Sequence, residues 1–163
     1  MTPLLKQFCD LSTQFTKREI NKIWKKAVKG KTITVNIKNV TTESLEGKCK
    51  TGTRHKRGVY RFSTIINNKL ICLYIGKGES TTIGRRWGSH FKAIRRLLCG
   101  KKINESSATK IIDFMKHNNL IEMDILIDYI EFADEHKHVI HTIEAKSIEH
   151  LKPVLNFEHY GNS

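Results

Sequence analysis

The apolar positions in the first third of the chain recur mostly at helical spacing. One helical pattern covers residues 4–15, and a second covers residues 20–28 with lysines on its opposite face. Thr16, followed three positions later by Glu19, predicts a capping box where the second helix begins. Alternating apolar residues over 33–37 predict a short strand. The polar, basic stretch that follows is typical of a loop or a mobile arm.

The pattern changes at Gly58, and from there it predicts six elements in the order β-β-α-α-β-α, the first two forming a hairpin. By residue number these are strands over 59–66 and 70–75, a helix with its apolar stripe over 87–98, a short helix over 111–118, a strand over 121–129 and a helix over 134–151. The last strand is apolar at alternate positions, which predicts one buried face. We therefore expect a mixed α/β (α+β) domain over residues 58–163, with a small antiparallel or mixed central sheet flanked by helices. Residues 1–57 are then a basic helical N-terminal extension.

Charge is distributed unevenly along the chain. Lys and Arg number 29 against 16 Asp and Glu, a formal net charge of +13, and residues 1–57 carry +10 of it. Such an excess favours a polyanionic partner, with most of the electrostatic attraction in the N-terminal third. Many unrelated proteins are basic for solubility, so the charge alone favours nucleic acid only modestly.

Composition excludes several other classes of protein. No apolar run approaches the ~18 residues that a membrane span needs, and a Pro-rich disordered chain is excluded by two prolines. The four cysteines are scattered without a C-x-x-C pair, which predicts a reduced chain with no zinc site. The N-terminus lacks the pattern of a secretory signal. We expect a cytoplasmic protein that has no contact with a membrane.

Two predicted helices carry side chains suited to chemistry. Arg86 and His90 are four residues apart and so lie on one face of the first helix after the hairpin, although a basic helix facing nucleic acid would have the same pattern. Glu144 lies within the apolar stripe of the last helix. A carboxylate there must be paired, protonated or bound to a metal, and a structural partner is the usual outcome. The hairpin adds Tyr60 and Tyr74, which as strand tyrosines ordinarily serve packing.

Taken together, these motifs resemble the GIY-YIG nuclease superfamily. The resemblance covers residues 58–156 and consists, in chain order, of Gly58-Val59-Tyr60, Tyr74-Ile75-Gly76, Arg86-x-x-x-His90, Glu144 and Asn156. The segment around Arg86 is similar to phage intron-homing endonucleases, and Lys77 after the second motif is similar to the N-terminal nuclease domain found in excinucleases. Val59 departs from the isoleucine of the family, and Arg85 is the alternative to Arg86 as the catalytic arginine.

The resemblance implies a DNA endonuclease that hydrolyses phosphodiester bonds with one divalent metal, Mg²⁺, for which Mn²⁺ can substitute. Glu144 would be the single protein ligand of that metal, which suits a hard cation that prefers oxygen and keeps several waters. Tyr60 would act as the general base on the attacking water. Arg86 would hold the scissile phosphate as its charge grows.

Four further residues have supporting catalytic roles by the same resemblance. Lys77 would favour the phenolate form of Tyr60 with its positive charge, and His90 would accept the proton of Tyr60. Tyr74 would orient the phosphate or the water. Asn156 would hold the geometry by hydrogen bonds.

Double-stranded DNA is the expected partner, bound by a monomer or a homodimer. The basic residues expected to contact it are Lys22, Lys25, Lys26, Lys29, Arg54, Lys56, Arg57, Arg85, Lys92, Arg95 and Arg96. Only seven residues follow Asn156, which favours a stand-alone enzyme of the restriction or phage type. The alternatives are a non-catalytic basic DNA-binding module and a subunit of a repair or structure-specific nuclease.

Overall fold

In the part of the chain that the structure describes, four strands hydrogen-bond into one sheet. They are β1 (Ile33–Asn36), β2 (Arg57–Ile66), β3 (Lys69–Gly78) and β4 (Asp124–Phe132), and their order across the sheet is β1-β4-β2-β3. Every neighbouring pair is antiparallel. Of the two sheet types expected from the sequence, the antiparallel one is therefore the one observed.

Two helices cover each face of the sheet. Helices α2 (Ile83–Leu98) and α3 (Ser106–His117) bury their apolar residues against one face. Helices α1 (Lys17–Val28) and α4 (Ile140–Leu151) bury theirs against the other. The result is a mixed α+β arrangement of three layers, with the sheet in the middle.

The computed structural model describes residues 16–28, 33–36, 57–102, 106–120, 124–132 and 138–156. The helix predicted over 4–15 and the polar segment 39–56 lie outside these residues. Within the ranges given, no helix is both long and apolar enough to cross a membrane.

Helix α1 begins with the capping box that the sequence predicts. The Glu19 carboxylate accepts the Thr16 backbone N–H at 2.6 Å, and the Glu19 N–H donates to the Thr16 hydroxyl at 3.3 Å. Ile20, Ile23 and Trp24 are buried against the sheet. The boundary between residues 57 and 58 remains a prediction, but β1 belongs to the same sheet as the later strands and α1 packs into the same core as the later elements.

The hairpin of β2 and β3 turns through two residues. Asn67 and Asn68 have φ angles of 50° and 61°, the left-handed conformation that a type I′ turn requires at both central positions. Asparagine tolerates this conformation better than most residues. The predicted hairpin is confirmed, and its register places Tyr60 opposite Gly76.

The prediction that the last strand buries only one face is wrong. Asp128 of β4 is 3% exposed, and Ile130 and Phe132 are buried with it on the second face. Helices α1 and α4 cover that face, and Arg61 neutralises Asp128 by donating from Nε and Nη2 to Oδ2 at 3.0 and 2.5 Å. A polar residue at a strand position was thus a buried, paired group rather than a solvent-facing one.

The Arg61–Asp128 pair also connects four elements. The Arg61 guanidinium carbon lies 4.6 Å from the centroid of the Trp24 ring, a cation–π contact with α1. The Trp24 indole N–H in turn donates to the Ser147 hydroxyl of α4 at 2.9 Å. Every polar group in this chain of contacts therefore has a partner inside the core.

We predict that Arg61→Met lowers the free energy of unfolding by about 3–5 kcal/mol, because it leaves the Asp128 carboxylate buried without its cation. The double variant Arg61→Met/Asp128→Leu should recover most of this loss, since it removes both charges. Urea unfolding followed by circular dichroism measures both. As a control, Lys146→Met removes an exposed ion pair with Glu149 and should cost no more than about 1 kcal/mol. A double variant as unstable as Arg61→Met would contradict this account.

Candidate active site

Tyr60 of β2 packs over Gly76, the residue opposite it in β3, which has no side chain. Its ring is fully buried on the face covered by α2 and α3. A Cβ atom at Gly76, the residue opposite, would lie 2.4 Å from the Tyr60 hydroxyl oxygen. The phenol therefore occupies the space that any other residue at position 76 would fill.

Gly78 lets the start of α2 lie directly on the end of β3. A Cβ atom at this position would be 2.7–2.9 Å from backbone atoms of residues 81–83. Thr82 then caps α2, as its hydroxyl accepts the Arg85 backbone N–H at 3.4 Å. The first turns of α2 are in this way fixed beside the end of the strand.

Arg86 and His90 approach the Tyr60 hydroxyl from α2. His90 Nε2 lies 2.8 Å from that oxygen, and Arg86 is close enough for its charge and hydrogen-bonding capacity to lower the pKa of Tyr60. The four-residue spacing therefore directs both side chains to the side of α2 that faces Tyr60. Both adjacent arginines are exposed, but Arg86 is the one that interacts with Tyr60 and lines the cleft.

Tyr74 of β3 completes an aromatic cluster around His90. Its ring centroid is 5.4 Å from that of His90 and 6.3 Å from that of Tyr60. Trp87, which lies one turn before His90 in α2, contacts Tyr60 edge-on with the two ring centroids 6.4 Å apart. These contacts hold the imidazole in a largely apolar setting.

Lys77 and Glu144 meet on the opposite side of β3. Because successive residues of a strand point to opposite faces, Lys77 extends towards α4. Its Nζ lies 3.5 Å from Glu144 Oε2 and 3.0 Å from Glu79 Oε2. The Glu144 side chain is 18% exposed, so the carboxylate predicted on the apolar face is half-buried and paired with a lysine.

Sequence reasoning missed two residues beside this pair, Glu79 and His141. His141 is exposed, and its Nδ1 lies 2.7 Å from Lys77 Nζ and 3.9 Å from Glu144 Oε2. The helical spacing of three between His141 and Glu144 could have indicated this contact. Lys77 and Glu79 are two residues apart along an extended chain and so point to the same side, which could have indicated the contact between them.

Asn156 clamps the backbone of β3 rather than facing the cleft. Its Oδ1 accepts the Ile75 N–H at 2.8 Å, and its Nδ2 donates to the Ile75 carbonyl at 2.9 Å. The two residues before it extend the clamp, as Val154 and Leu155 donate to the carbonyls of Cys72 and Leu73. This geometry fixes the strand that carries Tyr74, while the catalytic role expected for Asn156 stays a prediction.

A cleft of about 430 Å³ opens where β3 ends and α2 begins. The residues that line it are Arg57, Lys77, Glu79, Ser80, Thr81 and Arg86. Three of the six are cations and two are hydroxyl donors. The lining is therefore suited to an anion with several oxygens, such as a phosphate.

Burial controls the titration of the buried groups. It raises the pKa of Tyr60 well above its usual range, with the neighbouring Tyr74 adding to the effect, while the charge and hydrogen bond of Arg86 act in the opposite direction. Burial, with the positive charge of Arg86, lowers the pKa of His90 to about 4. Burial also raises the pKa of Glu144, against the charge and hydrogen bond of Lys77. His90 is thus neutral at pH 7, and each of the two acids has a neighbouring cation that favours its charged form.

Glu144 fits the metal that the resemblance implies. Among the residues described, no three His, Cys, Asp or Glu side chains are arranged to hold a metal ion. A Mg²⁺ ion, however, commonly takes one or two protein carboxylates together with waters and phosphate oxygens. A single half-buried carboxylate close to a cationic cleft meets that requirement.

The basic residues predicted to bind DNA lie on different surfaces. Lys22, Lys25 and Lys26 are exposed on α1, on one side of the sheet. On the other side α2 exposes four more, namely Arg85, Lys92, Arg95 and Arg96. Arg57 lines the cleft, while Lys29, Arg54 and Lys56 lie outside the described residues.

Comparisons with known proteins add no identification: no family model, curated protein or solved structure matches the chain.

We predict that Gly76→Ala destabilises the protein by about 1–3 kcal/mol, because the added methyl group must displace the Tyr60 ring. Gly88→Ala is the matched control. Gly88 lies within α2 with open space where a Cβ would stand, so the same change should stabilise by about 0.5–1 kcal/mol through helix propensity. Denaturant unfolding of the two variants measures the difference. Equal effects at both sites would show that Tyr60 does not need the space at Gly76.

We predict a pH-dependent stability that comes from His90. Its pKa is about 4 in the folded chain, below the ordinary value, so the unfolded chain binds the extra proton first as the pH falls. The free energy of unfolding should therefore drop by about 2 kcal/mol between pH 7 and pH 4.5 on account of this residue.

Unfolding of the parent and of His90→Gln across this pH range isolates that contribution, since other titrating groups act equally in both. His117→Gln, which changes an exposed histidine of α3, should keep the parent's pH dependence. Parallel curves for the parent and His90→Gln would refute the assignment.

Proposed function

We propose that the protein is a divalent-metal-dependent endonuclease that hydrolyses phosphodiester bonds in double-stranded DNA. The observation that carries the proposal is the convergence on the Tyr60 hydroxyl of His90 and Arg86, next to a cationic cleft with Glu144 nearby. The charge of Glu144 makes the smallest of the contributions that raise the pKa of Tyr60. Glu144 approaches from the other side of β3 and is connected to the cleft through Lys77, which contacts Glu144 and lines the cleft.

Tyr60 is the proposed general base. An ordinary tyrosine ionises near pH 10, and burial moves its pKa further upward, so proton removal needs help at neutral pH. His90 Nε2, 2.8 Å from the hydroxyl, is the proposed acceptor of the Tyr60 proton. Its own lowered pKa opposes this transfer, so the transfer depends on the positive charge that stabilises the phenolate. Arg86 then stabilises the phenolate by charge and hydrogen bond, and the phenolate takes a proton from the attacking water.

The cleft is the proposed phosphate site. Arg86 and Arg57 line it with guanidinium groups, which can each give two parallel hydrogen bonds to a phosphate. Ser80 and Thr81 add hydroxyl donors at the start of α2. Charge that develops on the phosphate in the transition state would be stabilised by groups that are already in place.

Glu144 is the proposed metal ligand. A bound Mg²⁺ would polarise a phosphate oxygen and stabilise the leaving oxygen. The resemblance to GIY-YIG nucleases supports this role and implies 5′-phosphate and 3′-hydroxyl ends.

Cleavage of plasmid DNA with Mg²⁺ or Mn²⁺ tests the proposal. Tyr60→Phe removes only the hydroxyl, and we expect the rate to fall by about 10²- to 10⁴-fold. Tyr129→Phe, at the position opposite Tyr60 in β4, should retain activity. Glu144→Gln should abolish cleavage, whereas Glu149→Gln, an exposed glutamate of the same helix, should not.

The same assay separates the alternative of a non-catalytic DNA-binding module. Such a module would bind DNA with an affinity that falls steeply with salt, and would leave plasmid intact with either metal. Cleavage that survives EDTA, or Glu144→Gln protein that cuts at the parent's rate, would contradict the metal role.

A further inference from the structure

The ammonium group of Lys77 lies among three acceptors. Its Nζ is 2.7 Å from His141 Nδ1, 3.0 Å from Glu79 Oε2 and 3.5 Å from Glu144 Oε2. These acceptors come from α4 and from the chain just after β3. The Lys77 ammonium, a cation of the protein itself, therefore already lies beside the Glu144 carboxylate.

The chemistry of the three acceptors keeps that cation charged. A lysine ammonium can only donate, so in this contact His141 presents the lone pair of Nδ1. The other two acceptors, Glu79 and Glu144, are carboxylates that attract the ammonium. Lys77 is thus a stable internal counter-ion of Glu144.

We infer that Lys77 is a displaceable cation, which blocks the Glu144 carboxylate until a divalent metal replaces it. The inference rests on the proposed function only in naming Glu144 as the metal ligand. A metal ion binds a carboxylate oxygen at about 2.0–2.1 Å, so it would lie close to the present position of the ammonium and repel it.

The cleft provides the place to which Lys77 would move. Lys77 already lines it together with Arg57 and Arg86, so a displaced ammonium has a phosphate site within reach. A phosphate in the cleft would draw Lys77 away from Glu144, and a metal on Glu144 would release Lys77 to the phosphate. The two ligands would therefore bind cooperatively, each removing the obstacle to the other.

Binding of Mn²⁺ to the DNA-free protein, measured by isothermal titration calorimetry at pH 7.5, tests this inference. Lys77→Met removes the ammonium and should bind Mn²⁺ about tenfold more tightly than the parent, because the metal no longer competes with an ion pair. Arg57→Met is the matched control, since Arg57 lines the same cleft but holds the Glu79 carbonyl instead of Glu144. It should change the affinity by no more than about twofold.

The double variant Lys77→Met/Glu144→Gln should lose the added affinity, which would place the metal on Glu144. An affinity of Lys77→Met equal to that of the parent, or an equal gain in Arg57→Met, overturns the inference. Tighter binding by Lys77→Met in a protein that cuts no DNA would support the counter-ion role and refute only the nuclease. If the parent cleaves DNA but its Lys77→Met variant binds Mn²⁺ no more tightly, the nuclease is supported and the counter-ion role is refuted.

The unaltered protein gives a second measurement that does not depend on how a variant folds. In ¹⁵N-lysine spectra the Lys77 Nζ resonance should shift when Mg²⁺ saturates the protein, while that of the exposed Lys69 should stay in place. A Lys77 resonance that does not move at saturating Mg²⁺ overturns the inference.

Discussion

The absence of side chains at two positions of β3 is the constraint on which the site depends. Gly76 leaves the space that the Tyr60 ring fills, and Gly78 lets the backbone of residues 81–83 lie against the strand. The first sets the position of the phenol, and the second sets the start of α2. Together the two glycines set the relative position of Tyr60 and of the helix that carries Arg86 and His90.

A second constraint is that Tyr60, His90 and Glu144 are each at least partly removed from water. Burial disfavours the charged forms of Tyr60, His90 and Glu144, and each acid is therefore coupled to a cation. The positive charge of Arg86 lowers the pKa of Tyr60, and that of Lys77 lowers the pKa of Glu144. These two cations also line the cleft, so whatever binds there competes for the charges that balance the acids. The electrostatics of the cleft and of the two acids are for this reason a single system.

Sequence patterns sufficed for the local features of the fold. The capping box at Thr16, the hairpin turn at Asn67 and the four-residue spacing of Arg86 and His90 each depend on short-range geometry that the residue types determine. The second buried face of β4 was missed because it depends on where α1 packs and on a partner, Arg61, far away in the chain. Likewise, nothing near His141 in sequence indicates that Lys77 would lie 2.7 Å from it.

The positions of the two basic helices bear on how a duplex could lie on the proposed nuclease. Helix α2 begins at the cleft, and its exposed cations continue from Arg85 to Arg96 along the helix that carries Arg86. The lysines of α1 lie on the opposite side of the sheet. A DNA strand whose phosphate enters the cleft would thus meet the charges of α2 directly. The lysines of α1 could reach that DNA strand only around the end of the sheet. Since phosphate contacts determine the position of a duplex, α2 is the better placed of the two to align it with Tyr60.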